Sequence, residues 1–166
     1  MLFRSDATVK CWGDNGYGQL GLGDTADRGD QSGEMGGDLP AVDLGAGRIA
    51  TAITAGGYHT CALLDDATVK CWGWGWHGRL GLGDMASLGD EPGEMGVNLP
   101  AVDLGAGRTA TAITAGDAHT CALLDDATVK CWGDNGAGQL GLGDTANRGD
   151  EPGEMGVNLP AVDLWA

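Results

Sequence analysis

Residues 71–80 read CWGWGWHGRL, where the same slot reads CWGDNGYGQL at 11–20 and CWGDNGAGQL at 131–140. The middle copy therefore gains Trp74, Trp76, His77 and Arg79 within a few residues of a strand end. Large amphipathic aromatics beside an arginine are the side chains that dominate protein-binding hot spots. These four are the candidate contact patch. Packing inside an oligomer interface and neutral drift of a surface loop are the competing readings.

Five cysteines stand at 11, 61, 71, 121 and 131. A three-residue loop at 65–67 would set Cys61 opposite Cys71, within disulfide reach if the pair is of the non-hydrogen-bonded kind. Cys121 and Cys131 repeat the spacing. Cys11 would be left as an unpaired thiol, with Met1 in its partner's place. Two disulfides would imply an oxidising compartment: extracellular, periplasmic or cell-surface. Buried free cysteines filling apolar positions are the alternative. No CxxC cluster suggests a metal.

Other chemistry is sparse. Ser5, Ser32 and Ser87 are the only serines, and none lies in a nucleophile elbow. The glycine-rich GDNGYG and GQLGLGD lack the strand–loop–helix order of a phosphate cradle. An enzyme is not expected, and no cofactor is called for. His59 and His119 recur in identical settings, which points to a structural role, bonding nearby backbone at a corner. The acidic loops DTADRGD (24–30), DMASLGD (84–90) and DTANRGD (144–150) could hold calcium weakly, although their spacing is not that of an EF-hand. Arg28-Gly29-Asp30 and Arg148-Gly149-Asp150 spell a tripeptide that some adhesion receptors read, but Leu88 breaks the pattern in the middle copy.

These residues must be held by a repeat. ATVKCWG begins at Ala7, Ala67 and Ala127, HTCALLDD at His59 and His119, and LPAVDL at Leu39, Leu99 and Leu159, always 60 residues apart. The copies run 1–60, 61–120 and 121–166, a single array with its first and last members incomplete. Each repeat offers four strand candidates: TAITAG (51–56), HTCALL (59–64), ATVKCW (67–72) and LPAVDL (99–104). Glycine, 32 of 166 residues against roughly 7% in ordinary proteins, recurs at fixed offsets between them as turns. Four short antiparallel strands per unit, with small residues on the innermost, describe a β-propeller blade. The fold class is all-β: about three blades, an incomplete ring that oligomerisation would close. Trp12, Trp72 and Trp132 should each pack between blades.

The stretches AGGYHTCALLDDATVKCWG (55–73) and WGDNGYGQLGLGD (12–24) resemble the repeat of the regulator of chromosome condensation family. The match rests on Gly56, His59, Ala62, Leu63, Asp66, Val69, Trp72 and Gly73, then Asn15, Gly18, Gln19, Leu20, Gly21 and Gly23. The resemblance implies a seven-bladed propeller in the complete family fold and partner binding on loop faces. One departure is Ala67, where the family has glycine, so the turn there is expected to widen.

A net charge of −15 disfavours nucleic acid and anionic membranes, and no apolar run is long enough to span a bilayer. The expected function is a non-enzymatic protein-binding or scaffolding module, exported and disulfide-stabilised, its partner another protein or a copy of itself. A self-assembling ring or filament protein is the first alternative. A nucleotide-exchange factor for a small GTPase is the second.

Overall fold

The computed structural model describes the backbone of residues 2–3 and residues 8–164. Its strands form three antiparallel sheets in chain order. The first pairs β1 (Leu2–Phe3) with β2 (Val9–Lys10). The second runs β3 (Ala50–Ala55), β4 (His59–Leu64), β5 (Val69–Gly73). The third runs β6 (Ala110–Ala115), β7 (His119–Leu124), β8 (Val129–Gly133). Among the described residues the helices are three one-turn 3-10 segments, and none is long and apolar enough to cross a membrane. These are partial-propeller blades, about three in number.

The LPAVDL segment of each blade is bound differently from the strands of its sheet. LPAVDL lies along the outer edge as extended chain, joined to the blade by a single main-chain bond. Val42 N donates to Val9 O, Val102 N to Val69 O and Val162 N to Val129 O, each at 2.8 Å. Proline at its second position removes one N–H donor, which confines such a residue to a sheet edge. A lysine completes the attachment and ties neighbouring blades. Lys70 Nζ donates to Leu44 O of the first blade (3.1 Å) and to Gly96 O (2.7 Å). Lys130 repeats this with Leu104 O and Gly156 O.

The turn at 65–67 does not widen. Leu64 N donates to Thr68 O and Ala67 N to Leu64 O, closing a tight three-residue loop. Ala67 and Ala127 take φ of 62° and 66°, the left-handed position that glycine usually fills in such loops. Ladder hydrogen bonds then alternate along the hairpin, so the Leu64–Thr68 pair is bonded and the Cys61–Cys71 pair is of the close, non-bonded kind. The Cα atoms of Cys61 and Cys71 lie 4.1 Å apart, as do those of Cys121 and Cys131, and both pairs stand as disulfides. Cys11 is free and buried, and burial pushes its thiol up to about 11. Met1, placed opposite it by the sequence, lies outside the described residues.

Blades pack face to face. On β4, Thr60, Ala62 and Leu64 point to the first blade while His59, Cys61 and Leu63 point to the third, and all six residues are buried. The identical hexapeptide in β7 alternates between buried and more open positions, because only its Thr120, Ala122 and Leu124 face meets a neighbour. Trp72 and Trp132 are fully buried at these junctions, as expected. Trp12 departs from that expectation at 38% exposure, since no blade lies over its ring in this structure.

Candidate functional site

Each junction is clasped by one main-chain carbonyl. Gln19 O accepts from Thr60 Oγ1 (2.9 Å) and Trp72 Nε1 (3.1 Å) of the following blade. Arg79 O accepts from Thr120 Oγ1 (3.1 Å) and Trp132 Nε1 (3.1 Å). His59 joins the second junction. Its Nε2 lies 2.8 Å from Thr120 Oγ1, whose proton goes to Arg79 O, so Nε2 is the donor and Nδ1 is a buried atom without a partner. The histidine is structural, but its partner is a side chain of the next blade rather than nearby backbone. Burial, then the charges of Arg79 and His119, push its pKa down to about 3.

The loop carrying each clasp is braced in two ways. In the first and third copies Gln19 Nε2 donates to Asp14 Oδ2, and Gln139 Nε2 to Asp134 Oδ2, both at 2.6 Å. The buried Asn15 donates to Asp24 O and Ala26 O and accepts from Leu20 N, and Asn135 does likewise. The middle copy replaces the whole set. Trp74 stands for the aspartate and Arg79 for the glutamine, and the guanidinium lies 4.7 Å from the Trp74 ring centroid, a cation–π contact in place of a hydrogen bond. Gly75 stands for the asparagine, and the 85–86 backbone closes against it where any Cβ would collide.

The four residues singled out by sequence are brought together but not equally presented. Trp76 is 47% exposed, Trp74 and His77 are half-buried, and Arg79 is buried at 3%. Arg79 thus belongs beneath the surface. Its Nε donates to Trp76 O (2.8 Å), and desolvation lowers its pKa against the raising fields of Asp117 and Asp134. His77 Nδ1 receives Asn147 Nδ2 of the third blade at 3.1 Å.

Two residues that sequence reasoning passed over complete the surface. Tyr17 stacks on Trp74 at 4.6 Å with planes 18° apart, and Trp74 and Trp76 are parallel within 17° at 6.4 Å. Tyr58 meets both Tyr17 and Trp74 edge-on. Tyr17 and Tyr58 are themselves 38% and 42% exposed, so the three planes and Tyr58 form one open aromatic row across the first two blades. A signal existed in the copies: the positions of Tyr17 and Tyr58 become Ala137 and Ala118 in the third, where the extra tryptophans are also missing.

In the first and third copies the acidic loop folds onto itself. Asp24 Oδ2 pairs with Arg28 at 2.6 Å while its Oδ1 takes Ala26 N and Asn15 Nδ2, and Asp144 repeats this with Arg148. Among the described residues no three metal-binding side chains converge. The same ion pairs hold Arg28 and Arg148 of the two adhesion-like tripeptides.

Family models described as Regulator of chromosome condensation (RCC1) repeat match residues 50–79 and 110–139, and residues 8–63. Among curated relatives, the human probable E3 ubiquitin-protein ligase HERC6 is 31% identical over 86% of this chain. The Ultraviolet-B receptor UVR8 of Arabidopsis thaliana is 32% identical over 84%. The chain spans only 12% and 28% of those proteins. Among solved structures, human WBSCR16 superposes with a TM-score of 0.64 at 18% identity, over 96% of this chain and 36% of that one. Yeast RCC1 (Prp20), solved bound to Kap60, gives 0.62 at 19%, over 97% and 34%. At these identities the structures speak for the fold.

Proposed function

The chain belongs to the regulator of chromosome condensation repeat family, and we propose from this that it is a non-enzymatic protein-binding or scaffolding module whose working face is the aromatic row. One observation carries the reading: Tyr17, Tyr58, Trp74 and Trp76 form a contiguous aromatic surface, partly open to solvent, on a rigid blade junction. Contiguous exposed apolar surface of this kind marks interaction sites, and rigid aromatics lose little entropy on binding. The row is braced from below by Arg79, so it is presented ready-formed. The paired cysteines favour an oxidising compartment as the place of action.

A photo-crosslinking amino acid placed at Trp76 should capture a discrete protein partner in the native setting, while the same group at Val97, 80% exposed on an outer loop, should not. Equal labelling from both positions would sink the reading.

Self-association is the second reading, and it has its own support. The open face of the third blade presents Ala112, Leu123 and Val129 around a shallow apolar pocket. The matching Leu63 and Val69 of the second blade are buried under the third.

A further inference from the structure

We propose that the aromatic row takes a cationic segment of its protein partner, lysine or arginine side chains laid on the open faces of Trp76 and Tyr58. This rests on the row being a binding face, and adds the chemistry of what it binds.

Three observations converge. The row is flanked by acid: Asp117 is exposed and Asp134 is half-buried, and both lie near enough to Arg79 to act on its charge. Asp117 belongs to the third blade but lies against Gly57, beside Tyr58, with Gly57 N donating to Asp117 O at 3.0 Å. The arginine beneath the row is already committed. Arg79 is 3% exposed, lies over Trp74 and donates to Trp76 O, and the two aspartates nearest it, Asp117 and Asp134, offset its charge, so the surroundings of the row stay net acidic. The chain as a whole carries −15, which steers cations toward any of its faces. Aromatic faces select among the places where they settle, because the ring quadrupole attracts a cation where an aliphatic surface does not. The Arg79–Trp74 contact is the same recognition made internally.

The test uses the full chain and short labelled peptides alternating glycine with lysine, or with glutamine, leucine or glutamate in its place. The lysine peptide should bind, quench tryptophan emission and weaken as salt is raised. Trp76→Gly and Tyr58→Ala import residues that the third blade already carries at Gly136 and Ala118, so folding is preserved. Each should weaken lysine-peptide binding about 3- to 30-fold. Asp117→Asn should weaken it too, and Val97→Ala should leave it unchanged. If the leucine or glutamine peptide binds as tightly and loses affinity with the ring variants, the row stands as a binding face and the cationic assignment falls. Lysine-peptide binding indifferent to both ring variants reduces to general acidity and overturns the proposal, as does the absence of binding by the lysine peptide.

Discussion

Ala67 and Ala127 show how a local rule can be broken without moving the structure. Both sit at positive φ, where an L side chain crowds its own carbonyl at a cost of about 1–2 kcal/mol. Glycine removes that crowding but loses some of the gain to its own chain entropy. Ala67→Gly and Ala127→Gly should therefore each raise stability by about 0.5–1 kcal/mol, read as a higher denaturant midpoint at unchanged slope. The sequence places an alanine at this corner but does not reveal that the ladder on either side would hold it in place. The hidden position of Arg79 is of the same kind. Its place in the stretch 71–80 was plain, but its burial follows from Trp74 standing beside it in space and from the loss of the Asp–Gln bond that the other copies use.

Between elements, the junction of the second and third blades carries a titratable group in an unusual state. His59 is neutral in the fold, with a pKa pushed from 6.5 down to about 3 by burial and by Arg79 and His119. Below the unfolded pKa the unfolded chain binds a proton that the folded chain refuses, so this histidine makes stability fall as pH drops from 6.5 toward about 3. The expected slope is about 1.4 kcal/mol per pH unit. Denaturant unfolding at a series of pH values should show this component in the wild type and lose it in His59→Gln. Asp90 has its pKa raised by burial and pulls the opposite way as pH falls, but it is present in both proteins and cancels in the comparison. The strands themselves were readable from alternation and turn residues, and the hairpin register from the loop length. What the hexapeptide HTCALL could not disclose is that one copy lies between two neighbours and the other against one, since the letters are the same.

At the scale of the molecule, the array leaves apolar side chains in the open at one end: Leu123 is 39% and Leu164 62% exposed. Trp12, 38% exposed, lies on the first blade. A polypeptide of these 166 residues should therefore associate, and native mass spectrometry with and without reductant reads its assembly and its thiols together. Discrete multiples that persist in reductant fit face-to-face packing, and a single monomeric mass at all concentrations would contradict association. At each junction the acceptor shared by threonine and tryptophan is a peptide oxygen, of Gln19 in one place and Arg79 in the other. A peptide oxygen survives every substitution of its own residue. The side chains that meet the outside world can thus be exchanged wholesale, as the middle copy has done, while the seam behind them stays stitched.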